Sequence, residues 1–144
     1  MKNKLKYIFI LLFLFEISLF SEQRIFLSSN LIGDDLRKEI INWVKKNSIN
    51  EENYKILDNG FIYFFYVSNI DDNKNKFLCF DITFNLQHDK FIVDFSNPKI
   101  FDKEKNEIKD LEFSTISKLT KTGWFKSYNE EIDKIVEDIE NIIS

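Results

Sequence analysis

The residues that could carry chemistry are few. His88 is the single histidine, and Asp89 follows it. A carboxylate that orients an imidazole makes a general base. Side chains of adjacent residues diverge, however, and no G-x-S-x-G or other nucleophile signature accompanies the pair. Both residues therefore read as solvated turn residues, and a small periplasmic hydrolase using His88 or paired carboxylates ranks last among the functions considered. Asp71, Asn73 and Asn75 open like a calcium loop. The pattern then fails: Lys76 stands where the sharp turn needs glycine, and Ile82 where a bidentate glutamate closes the shell. With one histidine and one cysteine, zinc or iron would need an all-carboxylate cluster, and no spacing marks one. Three glycines are too few for a phosphate-cradling loop. No catalytic residue, metal or cofactor is expected. Cys79 has no intrachain partner. It either pairs two chains in an oxidising compartment or packs as a small hydrophobe, and the second reading is preferred.

What remains is a surplus of aromatic side chains. Phe61, Tyr63, Phe65, Tyr66, Trp124 and Phe125 exceed the needs of one small core. They are the candidate surface for a protein partner, an apolar ligand or a second copy in a homodimer. The competing reading is that a C-terminal helix, or residues 112–126, covers them. The sequence favours cover, because an amphipathic helix needs somewhere to dock.

The N-terminus reads as an export signal. Lys2, Lys4 and Lys6 precede an unbroken apolar run over residues 7–15, and Ser18 and Ser21 supply small residues near a cleavage point. Cleavage after Ser21 divides the chain into a signal, 1–21, and one domain, 22–144. Glu16 within the run argues against a permanent membrane span, since a carboxylate in hydrocarbon costs about 2–3 kcal/mol or more. The membrane is thus a partner only during export. Cleavage takes three lysines and one glutamate from a chain of formal charge −4, leaving −6. An acidic domain lacks the basic footprint that nucleic acid requires.

These residues must be positioned by a compact set of elements. Residues 24–28 form a short edge strand. Asp34 and Asp35 suit an N-cap and first turn, and Leu36, Ile40, Trp43 and Val44 then recur at helical spacing up to residue 47. Asn59 and Gly60 between apolar runs predict a two-residue type I′ hairpin pairing Ile56 with Tyr63 and Leu57 with Ile62. The strand that follows is apolar on both faces, so both faces are expected to be covered. In "FDITFNLQHDKFIVDFSN" the alternation is regular. A turn at residues 87–90 sets Leu86 against Phe91, Phe84 against Val93 and Ile82 against Phe95, and a slip of one breaks every match. Pro98 is expected to end the return strand. "FDKEKNEIKD" is a charged loop or an extra hairpin, and residues 111–125 a short helix or a strand turning at Gly123. Ser127 and Glu130 read as a capping box opening a C-terminal amphipathic helix of about 15 residues. The fold class is α+β: an antiparallel meander of four to five strands in two layers with an N-terminal and a C-terminal helix.

Together "LRKEIINWVKKN", "ILDNGFIYFFY" and "FDITFNLQHDKFIVDFSNPKIF" resemble a family of exported bacterial domains of unknown function with a TBP-like fold. The resemblance spans about residues 25–100. It covers a Trp-bearing helix before a meander, then Phe80, Ile82 and Phe84 alternating before a polar turn and an aromatic return strand ending at Asn97. Where the family carries a basic residue in that return strand, this chain has Ile92. The resemblance implies a TBP-like fold and export, and no activity. The function expected is that of an exported cell-envelope domain, periplasmic or secreted, acting as a non-enzymatic binding or accessory module. The alternative is a small carrier of an apolar ligand in an aromatic groove.

Overall fold

A computed structural model describes residues 22–27, 31–71, 75–88, 90–110, 120 and 123–144. The expected signal, residues 1–21, lies outside them, as do Asn73 of the calcium-like pattern and Asp89. The elements are β1 (Glu22–Leu27), α1 (Gly33–Asn47), a 3-10 turn (Glu51–Asn53), β2 (Tyr54–Ile56), β3 (Phe61–Asp71), β4 (Lys76–Leu86), β5 (Lys90–Asp102), β6 (Glu107–Asp110) and α2 (Gly123–Ile143). They build one six-stranded antiparallel sheet in the order β1-β5-β4-β3-β2, with β6 also paired to β5.

The meander follows the alternation. Leu86 faces Phe91, Phe84 faces Val93 and Ile82 faces Phe95, as the apolar matching requires. These residues share one face with Ile62, Phe64 and Tyr66 of β3, and all are buried except Leu86, which is half-buried against the core. Both helices cover that face. Leu36, Ile40, Trp43 and Val44 are the buried stripe of α1, while Tyr128, Ile132, Ile135, Ile139 and Ile143 form that of α2. Trp43 meets Phe64 edge-on at 6.0 Å and Phe84 at 6.1 Å, and Tyr128 meets Phe80 at 5.2 Å. Such aromatic pairs add about 0.5–1.5 kcal/mol each beyond their burial. The indole N–H of Trp43 donates to Asp138 at 3.3 Å, which ties the two helices together. The hydroxyl of Tyr66 donates to Glu131 at 2.9 Å, which ties α2 to the sheet.

Several local expectations are corrected. The hairpin before β3 has a three-residue loop, Asp58, Asn59 and Gly60. Ile56 faces Ile62 and Lys55 faces Tyr63, one residue away from the I′ register. Only Gly60 there has positive φ, +88°, as in a turn closed by one left-handed residue. The shift places Tyr54 and Ile56 on the core side opposite Phe64 and Ile62. Pro98 does not end β5. The strand runs on to Asp102 because Asn97 (φ +52°) and Pro98 form a bulge against Phe80, where a missing N–H is tolerated. "FDKEKNEIKD" is the extra hairpin, β5 to β6. Asp34 is not an N-cap: the cap residue is Ile32, with no side-chain bond, and the N–H of Gly33 is taken by the His88 carbonyl at 3.0 Å. Asp34 and Asp35 still favour the positive end of the helix from its first turn. Ser127 and Glu130 do not cap α2, which starts at Gly123 and runs 21 residues; Glu130 instead pairs with Lys126 at 3.7 Å, one turn away.

Candidate binding face on the open side of the sheet

Since α2 joins α1 on one side of the sheet, the expectation that it covers the second side of β3 does not hold. The other expected cover, residues 112–126, lies outside the described residues except for Thr120 and 123–126, of which Trp124 and Phe125 pack against the core. The six aromatic candidates therefore do not form one surface. Tyr66 is buried on the helix-covered side, and Trp124 and Phe125 stand at the start of α2. Phe61, Tyr63 and Phe65 alone lie on the opposite, outer face. There Tyr63 is 44% exposed, and its ring lies nearly parallel to that of Phe61 with centroids 6.3 Å apart.

The outer face carries two adjoining depressions that share Phe65. One, of about 430 Å³, is mixed in character: Tyr63 borders it together with Lys55, Asp81, Thr83, Ser96 and Asn97. The amide of Asn97 donates to the Asp81 carboxylate at 2.9 Å, so the bulge fixes the orientation of that acid. The other, of about 340 Å³, is apolar. Phe65 and Val67 of β3, Phe77 and Cys79 of β4, and Phe101 of β5 make its floor. Ile108 and Ile49, 57% and 68% exposed, stand at its margin, and Lys103 brings the single charge among its lining residues.

The register explains this second depression. Val67 faces Cys79, and Cys79 faces Lys99; Phe77 faces Phe101, which faces Ile108. Side chains directly opposite on one face lie close enough to form a continuous surface. Cys79 is a free, buried thiol. Burial raises its pKa to about 11, against smaller lowering effects from a hydrogen bond to the Phe101 backbone and from the charge of Lys99. At neutral pH it is a neutral, poorly nucleophilic part of the apolar floor.

Val67, Phe77, Phe101, Ile108 and Lys103 were not singled out in the sequence. The alternation of β4 does put Phe77 and Cys79 on its outer side. Phe101 joins them only because the bulge at Asn97 and Pro98 shifts β5 by one residue, which no local pattern announces. His88 is exposed in the β4–β5 turn and lines neither depression. Its backbone carbonyl serves α1 instead. Among the described residues, no group of three or more His, Cys, Asp or Glu side chains is arranged to hold a metal ion, and no helix is long and apolar enough to cross a membrane.

No family model and no curated protein sequence matches the chain. A solved structure does: the crystal structure of a TBP-like protein from Parabacteroides distasonis ATCC 8503 superposes with a TM-score of 0.64, over 85% of this chain and 91% of that one, at 10% sequence identity. At that identity the likeness speaks to backbone architecture alone. The chain has a TBP-like α+β fold, an open antiparallel sheet with two helices on one of its faces.

Proposed function

We propose that the protein is an exported cell-envelope domain that works by binding, through the outer face of its sheet, and not by catalysis. The observation that carries this reading is the apolar depression over Phe65, Val67, Phe77, Cys79 and Phe101. A core face covered by two helices accounts for the fold's own stability. A second apolar surface on the far side is surplus to it, and contiguous exposed apolar surface marks interaction sites. Export is supported by the basic start, the apolar run over residues 7–15 and the small residue Ser21.

The test is a native mass spectrum of the full chain, expressed with its own N-terminus in an exporting bacterial host and recovered from the envelope fraction. The reading expects a polypeptide beginning at Glu22 that carries a non-covalent companion, and expects Val67→Glu to lose the companion. Full-length polypeptide confined to the cytoplasm overturns export. A companion unaffected by Val67→Glu overturns the assignment of the binding face.

A further inference from the structure

Resting on that reading of the outer face, we infer that its apolar depression is a site for one free, single-chain carboxylate: a medium- or long-chain fatty acid. Two features of the site select this chemistry. The floor is wholly apolar, made by side chains from three adjacent strands, and its volume of about 340 Å³ lies at the small end of the range for ligand sites, roughly 300–1,000 Å³. That suits an alkyl tail. The charge at the site has one sign. Lys103 is the charged lining residue, and Lys99 stands opposite Cys79, near enough for its charge to act on the thiol. Among the described residues the ion pairs are Arg24 with Glu22, Lys109 with Glu107 and Lys126 with Glu130, so neither Lys99 nor Lys103 is engaged in one. The acids nearest in register are Asp102 and Glu107, paired beside Phe101 and Ile108, then Asp110, opposite Lys99, and Asp81, held by Asn97; none of them lines the depression. In a chain with 24 acidic and 20 basic residues, an apolar trough lined, among the described residues, by lysine and by no acid is complementary to a tail with an anionic head.

The experiment is a calorimetric titration of the purified protein with octanoate, decanoate and dodecanoate below their micelle thresholds, and with 1-decanol as the uncharged match. Decanoate is expected to bind saturably at one per chain, tightening two- to fourfold with each added methylene, about the factor expected for burying one in part or in full. Decanol is expected to bind about fivefold more weakly, and Lys103→Glu to weaken decanoate about fivefold while leaving decanol unchanged, the scale of an exposed charge contact. Val67→Glu is expected to abolish both. Ile108→Glu, at an exposed margin position, reports the same loss should Val67→Glu unfold the chain.

Equal affinity for decanol and decanoate, indifferent to Lys103→Glu, overturns the anionic head. A dimer in sedimentation that Ile108→Glu dissociates gives the trough to a second copy. Attachment to phosphatidylglycerol vesicles with no uptake of decanoate gives it to a membrane surface. Either result overturns the inference. If decanoate fails while the companion on the exported chain still depends on Val67, the ligand class alone is wrong. If the companion ignores Val67 as well, the binding-face reading falls with it.

Discussion

Gly60 and Gly123 make a matched pair for testing how the β2–β3 turn is built. Both have positive φ, +88° and +61°. Alanine at either position enters the left-handed region, which costs about 1–2 kcal/mol. Both substitutions also stiffen the unfolded chain to the same degree, an offset of about 0.4–1 kcal/mol. They differ in what the new methyl meets. At Gly123 no atom of the described residues lies within 4 Å, whereas at Gly60 a Cβ would sit 2.7 Å from the backbone carbonyl oxygen of Leu86. That oxygen belongs to β4 and cannot swing aside like a side-chain tip. The hairpin must therefore pull back, which also stretches the 2.8 Å bond from the Leu86 N–H to the Gly60 carbonyl. Overpacking of this kind adds about 1–3 kcal/mol. Gly60→Ala should thus destabilise the domain by about 3 kcal/mol and Gly123→Ala by about 1 kcal/mol. Urea unfolding followed by tryptophan fluorescence measures both, with unchanged slope as the sign that the comparison is sound. A difference between the two variants below about 0.5 kcal/mol, the usual error of such comparisons, would refute the close approach of the turn to β4.

Other outcomes follow from the same geometry. The Cys79 thiol, ordinarily near 9.0, is pushed up to about 11 by burial, so the unfolded chain loses its proton first as pH rises. Stability should fall between pH 9 and 11 with a slope approaching about 1.4 kcal/mol per unit; Cys79→Ala should flatten the curve below pH 10, before the buried Tyr66 and Tyr128, also shifted upward, contribute. Asn97→Ala keeps a left-handed φ without the bond to Asp81 and should cost about 1–2 kcal/mol in thermal unfolding, while Asn97→Gly should cost about half as much. His88→Ala removes only a side chain from an exposed turn and leaves the carbonyl that serves Gly33, so its melting point should match the parent within about 0.5 kcal/mol equivalent.

The parts of the fold that were legible in the sequence are those where one face is buried and the period is strict. The β4–β5 register followed from apolar matching alone, and the α1 stripe from helical spacing, because in both a slip exposes every large side chain at once. Element ends were less legible. Asp34, Ser127 and Glu130 have the side chains of caps, but Gly33 finds its acceptor in the distant His88 carbonyl, a tertiary contact that no local pattern contains. The turn at Asn59 and Gly60 lies one residue away from the type I′ register, since the dipeptide fits both a two-residue and a three-residue loop and the choice rests on pairing Ile56 with Ile62. The proposed binding face was legible only in part. Phe61, Tyr63 and Phe65 follow from alternation, but which side the helices take is a packing decision, and Tyr66, Trp124 and Phe125 went with the core. The bulge at Asn97 and Pro98 then brought Phe101 beside Phe77, completing a surface that runs across three strands.

The central claim, that the two faces of the sheet have different purposes, is tested most directly by hydroxyl-radical footprinting of the exported protein, first with its companion bound and then stripped. Peptide mass spectrometry reads oxidation at each aromatic residue. The account predicts that stripping raises labelling at Phe65, Phe77 and Phe101 on the outer face and leaves Tyr66 and Phe84, under the helices, unchanged. Unchanged labelling across the outer face, or new labelling confined to the helix-covered side, would contradict it.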